Sequence, residues 1–146
     1  RKMEEFAARQ GTLSVLARAI ENRELRGSVL ATSVGTTVAR DALAQAADTL
    51  LAMAGVRAVL VLGLLEETDT VVASARTRGS HLDIGEAVRV AYDQIGSAGG
   101  HTDMAGAQIP LGILGEVDDD SGSLETVIGD VLIDRFFEVW PADVLV

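Results

Sequence analysis

Hydrophobic and polar positions alternate along this chain in more than one rhythm, and each rhythm predicts a different element. Over residues 3–26, Leu13, Leu16, Ala17 and Ile20 recur at i, i+3, i+4 and i+7. That spacing predicts a helix with one apolar stripe, Thr12 as a candidate N-cap and Arg18, Arg23 and Arg26 on the other faces. Residues 28–34 read as a strand ended by Gly35. Residues 40–54 read as a helix burying Leu43, Ala47, Leu50 and Ala54, with Gly55 as its stop. Residues 57–65 form a nearly continuous aliphatic run, as in a strand covered on both faces. The polar turn Glu66-Glu67-Thr68-Asp69 and the alternating residues 70–77 complete a hairpin.

The second half changes rhythm again. Asp83 followed by Glu86 resembles a capping box, opening a helix to about residue 95 that buries Ile84, Val88 and Ala91. A glycine-rich loop is expected at 96–100, a short strand at 106–111 and an acidic loop at 116–122. Ser123 then caps a helix through about residue 139, with Leu124, Val127, Ile128, Val131, Leu132 and Phe136 inward, halted before Pro141. Phe136, Phe137 and Trp140 read as core; an exposed Trp140 would instead mark a docking surface. The order α-β-α-β-β-α-loop-β-α predicts an α/β fold, a mixed β-sheet packed with helices in a single domain.

Composition narrows the chemistry. The 146 residues contain no cysteine, which excludes a disulfide scaffold, a thiol nucleophile and a thiolate zinc site. The longest apolar runs are far shorter than a bilayer requires, and no basic-then-apolar leader is visible, so a cytoplasmic location is expected. The formal charge is -10, and 11 arginines and one lysine face 22 acidic residues. That balance opposes long, nonspecific tracking on nucleic acid. Two sources of the acid excess stand open: a halophilic proteome, the favoured reading, and codon bias. The charge is uneven, net +3 over residues 1–40 and -13 over the rest. The chain starts on Arg1, which suggests a piece of a longer polypeptide, with 1–27 leading in from an upstream domain and 28–146 forming the domain proper.

Candidate chemistry concentrates in two segments. In Gly96-Ser97-Ala98-Gly99-Gly100-His101 the missing Cβ atoms let backbone N–H groups approach a ligand. A helical turn starting near Thr102 would make that an anion site with His101 at its mouth, and a plain connector is the competing reading. In the strand, Ser74 and Arg76 share one face, with Arg78 next in line. A guanidinium can fork onto a phosphate, although Arg76 could equally pair with Asp83 or Asp103. His81 has no second histidine at metal-ligand spacing, and Asp118-Asp119-Asp120 lacks the spacing of a calcium loop, so no metal site is expected. Gly-x-Ser-x-Gly is absent, which leaves no foothold for a hydrolase triad.

Taken in order, Ser74-Ala75-Arg76-Thr77-Arg78-Gly79, Asp83-Ile84-Gly85 and Gly99-Gly100-His101 through Ala105-Gly106 resemble the DHH-associated C-terminal domain of DHH-family phosphoesterases. That family includes RecJ-type exonucleases, oligoribonucleases that also dephosphorylate phosphoadenosine phosphate, and exopolyphosphatase-related proteins. The likeness runs from about residue 28 to 111, with Ala98 where the family loop often has a third glycine. It implies that Arg76, Gly99, Gly100 and His101 contact substrate, with Ser74 and Arg78 as weaker candidates. It also implies that an upstream DHH domain, which holds two manganese ions, does the hydrolysis. No Asp-His-His string is present here, so these 146 residues are expected to bind a nucleotide or short oligonucleotide without cleaving it, with no catalytic residue, metal or cofactor of their own. The rival reading is a non-catalytic nucleotide-sensing or oligomerisation module, and a homodimer stays open.

Overall fold

A computed structural model describes residues 2–37, 40–79, 82–117 and 123–146. Helix α1 (Lys2–Glu21) leads into a short strand β1 (Glu24–Arg26) and then β2 (Val29–Thr37). Helix α2 (Arg40–Leu51) crosses to β3 (Ala58–Leu65), and a 3-10 turn joins β3 to β4 (Thr70–Thr77). Helix α3 (Ile84–Tyr92), strands β5 (Ser97–Gly100) and β6 (Met104–Pro110) and helix α4 (Ser123–Glu138) follow. The strands form one sheet in the order β1-β2-β3-β4-β6-β5. Of its neighbouring pairs β2 and β3 run parallel and the rest antiparallel. This is the mixed, helix-packed α/β domain that the sequence pattern predicts.

Two apolar layers flank the sheet. On one face Val15 and Ala19 of α1 and Leu43, Ala47 and Leu50 of α2 pack on Leu30, Val59, Val61 and Val72. On the other, Ile84, Val88 and Tyr92 of α3 and Leu132, Ile133, Phe136 and Phe137 of α4 cover Ala31, Leu60, Leu62, Ala73, Ala105 and Ala107. Strand β3 is buried on both sides, the reason its sequence is an unbroken aliphatic run. Strand β6 is not: Ala105, Ala107 and Ile109 are buried while Met104 and Gln108 are exposed. The helical layer on the α2 side therefore leaves the outer part of the sheet open.

Several expectations are corrected. The first helix stops at Glu21, and residues 24–26, expected to be helical, pair with β2 as an edge strand. Its buried face is Val15 and Ala19; Leu13 and Ile20, placed on the apolar stripe, are exposed. Small residues let α1 approach α2 and β2 closely, and Thr32 ties the layer together by donating its buried hydroxyl to Ala19 O at 2.6 Å. Gly35 does not end β2 but sits within a register shift between Ser33 and Thr36. Arg18 holds this irregularity by donating to Val34 O and Thr36 O at 2.6 and 2.7 Å. Helix α2 ends at Leu51, leaving Ala54 exposed. In α4, Val127 and Val131 are exposed, and Gly129, Leu132, Ile133, Phe136 and Phe137 face inward. Trp140 is core, with its ring edge-on to Phe136 at 5.6 Å.

Tyr92 links α3 to α4 by donating its phenol to Leu132 O at 2.7 Å. Burial pushes this phenol far above the ordinary tyrosine range. A group whose folded pKa is raised stabilises the fold fully below its unfolded pKa and progressively less as pH rises beyond it. Stability should therefore start to fall above about pH 10, the ordinary tyrosine value. Denaturant melts of the wild type across that range are expected to show the loss, and Tyr92→Phe to flatten it. Because the chain has one tyrosine, one lysine and no cysteine, few other groups contribute there. Tyrosinate absorbance appearing near pH 10 without unfolding would contradict the assignment.

Candidate functional site

The glycine-rich segment is not a loop. Ser97–Gly100 forms the edge strand β5, pairing antiparallel with β6 through Ser97↔Gln108, Gly99↔Gly106 and Gly100↔Ala105. His101 N donates to Met104 O at 2.8 Å, closing a two-residue turn, and Thr77 N donates to Asp103 O at 3.1 Å, pinning that turn to the end of β4. No helix begins near Thr102, so the helix-dipole anion site considered from the sequence does not form there.

The helix terminus that does approach this hairpin is that of α3, and its donors are spent on protein. Asp83 caps it, its carboxylate accepting from Glu86 N at 3.1 Å. Ile84 N donates to Thr102 O at 3.1 Å and Gly85 N to His101 O at 2.9 Å. A Cβ on Gly85 would lie 2.7 Å from His101 O, and one on Gly100, at φ +155°, 2.4 Å from Met104 O. The Asp-Ile-Gly and Gly-Gly-His motifs are thus two sides of one contact, which fixes the hairpin against α3.

What the hairpin builds is a groove on the outer part of the sheet that α2 leaves open. Its lining includes Ser74 of β4, Gly106 and Gln108 of β6, Ser97 and Gly99 of β5, and Arg40 at the start of α2, around an open volume of about 420 Å³. Register explains the floor. Ser74 opposes Gly106, which opposes Gly99, so one rung across three adjacent strands carries one hydroxymethyl group and no larger side chain. Backbone is accessible there, and ligand can lie flat across three strands. Another hollow of about 310 Å³, at the end of β2, is lined by Asn22, Ser33, Gly35, Glu125 and Asp130 among others. Its carboxylates make it the poorer place for an anion.

The residues singled out in the sequence separate around this groove. Ser74 and Gly99 line it. Arg76 stands two rungs along β4, opposite Met104 and Val59, hence on the α2 side of the sheet. Its Nε donates to Asp48 Oδ1 at 3.0 Å and its Nη1 to Ala75 O at 2.9 Å. The carboxylate partner is therefore Asp48 of α2, not Asp83 or Asp103. His101 is exposed at the turn, across Met104 from Arg76, roughly 10 Å away by two strand spacings. Gly100 lies outside the lining and is exposed, with no room for a Cβ against Met104 O and Ala105. Arg78 has left the strand; its amide is bonded to Arg57 O and its side chain is exposed. His81 and Asp118–120 lie outside the described residues.

Sequence reasoning missed Arg40, Asp48, Met104 and Gln108. Met104 and Gln108 carry a signal in hindsight, as exposed positions alternating with Ala105, Ala107 and Ile109. Arg40 and Asp48 carry none, because only the packing of α2 brings them to the sheet.

Comparison with known proteins gives a family and a shared fold. A family model described as DHHA1 domain matches residues 26–126. An uncharacterized protein of Methanocaldococcus jannaschii is 36% identical over 128 residues, which cover 87% of this chain and 25% of that protein. The chain thus spans about a quarter of the length of the curated relative it matches. The structure of RecJ from Thermus thermophilus, solved in complex with Mg2+, superposes with a TM-score of 0.61 at 15% identity, covering 97% of this chain and 20% of that one. An exopolyphosphatase-related protein from Bacteroides fragilis gives a TM-score of 0.53 at 13% identity over 88% of this chain and 36% of that one. At such identities the two structures speak for a shared fold.

Proposed function

Because the chain belongs to the DHHA1 domain family, we propose that it is the substrate-binding domain of a DHH-family phosphoesterase. In this reading the groove holds the phosphate and nucleoside of a nucleotide or short oligonucleotide while a catalytic DHH domain of the same polypeptide cleaves it. The observation that carries the reading is the side-chain-poor floor of Ser74, Gly106 and Gly99, with Arg40 in the lining and Arg76 two residues along β4 on the same face, on the outer part of the sheet that α2 leaves open. An uncovered floor three strands wide accommodates a planar base, and a guanidinium beside it suits a phosphate, which it can grip with two parallel bonds. The Bacteroides fragilis protein that shares the fold is an exopolyphosphatase-related protein, which points the same way, toward a phosphate polymer. Among the described residues no three His, Asp or Glu side chains converge to hold a metal ion. They do not fit a manganese centre, so the two ions belong to the catalytic domain in this reading and no step through them is derived from this chain.

Titrating a 5′-phosphorylated diadenylate into the 15N-labelled 146-residue chain tests the proposal. Amide shifts are expected at Ser74, Gly99, His101 and Gly106, with a Kd on the order of 0.1–1 mM for one small anion site. No turnover is expected when manganese is added. Shifts confined to the hollow at Glu125 and Asp130, or none at about tenfold above that range, would overturn the groove assignment. Turnover by the chain alone would overturn the division of labour.

A further inference from the structure

Resting on this reading of the groove, we infer that Asp48 is a positioning residue that sets the Arg76 guanidinium for the ligand. Asp48 lies on α2, and its carboxylate accepts from Nε while Ala75 O accepts from Nη1. Two of the five guanidinium N–H groups are thereby spent on fixed partners from opposite edges. The donors left over include the pair at the Nη1–Nη2 end, the fork that a phosphate engages. Burial makes the clamp consequential: the Arg76 side chain is 11% exposed and that of Asp48 63%. A guanidinium withdrawn this far from water needs a counter-charge while the groove is empty, and Asp48 supplies it from the solvent side.

The same contact could act as a latch, with the carboxylate competing for Arg76 against an incoming anion. Geometry argues otherwise. Asp48 is bonded to Nε, away from the terminal fork, and its own exposure lets water screen its repulsion of a phosphate. What it provides is order in a side chain that would otherwise be immobilised only on binding. That preordering favours affinity by about three- to tenfold.

Four proteins distinguish the outcomes in diadenylate titrations: wild type, Asp48→Ala, Asp48→Asn and Arg76→Ala. Asp48→Ala is expected to bind about three- to tenfold more weakly. Asp48→Asn should match wild type, because the amide oxygen still accepts from Nε and the carboxylate charge it removes is screened by water; tighter binding by Asp48→Asn would speak for the latch. The Arg76 Nε–H resonance should be slow to exchange in wild type and Asp48→Asn, and lost in Asp48→Ala, a signature that a general structural role of Asp48 would not give. Tighter binding by Asp48→Ala would establish the latch, and unchanged binding would make the pair a bystander; either overturns the inference. Failure of the wild type to bind would instead defeat the groove reading itself, and equal binding by Arg76→Ala would remove Arg76 from the site and overturn the inference with it. Should Asp48→Ala fold poorly, Asp48→Ser, too short to reach Nε, makes the same comparison.

Discussion

Replacing Gly100 by alanine is expected to detach β5 from β6 and to abolish ligand binding in the groove. The added Cβ would meet Met104 O at 2.4 Å and the Ala105 Cα at 2.5 Å, both backbone-borne atoms that cannot swing aside. The residue also sits at φ +155°, a region that side chains other than glycine's rarely enter. Backbone strain of this kind costs about 1–3 kcal/mol, and an unrelieved clash adds to it, so a loss of about 2–4 kcal/mol is expected locally. β5 is an edge strand of four residues, and the cheapest relief is to open it rather than the sheet. Opening it releases the carbonyls of His101 and Thr102 that satisfy the first amides of α3.

Amide hydrogen exchange tests this directly. In Gly100→Ala, Ile84 and Gly85 should lose protection together with the β5 amides, while β3 keeps its protection. Gly85→Ala should reproduce the pattern from the other side of the contact, since its Cβ would lie 2.7 Å from His101 O and 2.9 Å from Gly100 O. Retained protection of Ile84 in either variant, or diadenylate binding at the wild-type level, would show that hairpin and helix are not coupled as described.

That coupling also explains which parts of the molecule could be read beforehand. The β3–β4 hairpin was legible because both cues are local: an unbroken apolar run from Ala58 and a clean alternation from Thr70. The α3 start was legible because Asp83 and Glu86 are three residues apart and bond directly. β5 was not, because Ser97, Ala98 and two glycines have little strand preference; β6 imposes the extended form on them. α1 misled because its large apolar residues, Leu13 and Ile20, are exposed while Val15 and Ala19 make the contact. That Ser74 and Arg76 share one face of the sheet followed from strand alternation alone. Gly106 opposite Ser74, and Asp48 beside Arg76, depend on pairing register and helix packing between residues distant in sequence, which no local pattern encodes.

Arg76→Ala is expected to weaken diadenylate binding by at least tenfold, with little change in fold stability. Charge-assisted hydrogen bonds contribute about 1.5–3 kcal/mol each, so losing one to a phosphate corresponds to roughly ten- to hundredfold in Kd. Stability should hold because the partner left behind, Asp48, is mostly exposed and rehydrates. Arg76→Lys should not restore binding. One ammonium has no forked edge, and it cannot serve Asp48, Ala75 O and a ligand from opposite sides. Salt dependence gives an independent check against the chain's net charge of -10. A protein tracking a long polyanion loses affinity steeply with salt, whereas a single guanidinium site predicts a shallow log–log slope of magnitude about 1 or less. Arg76→Ala should flatten even that slope. Wild-type affinity in Arg76→Ala, or a steep slope in the wild type, would place the anion on other residues and remove Arg76 from the site.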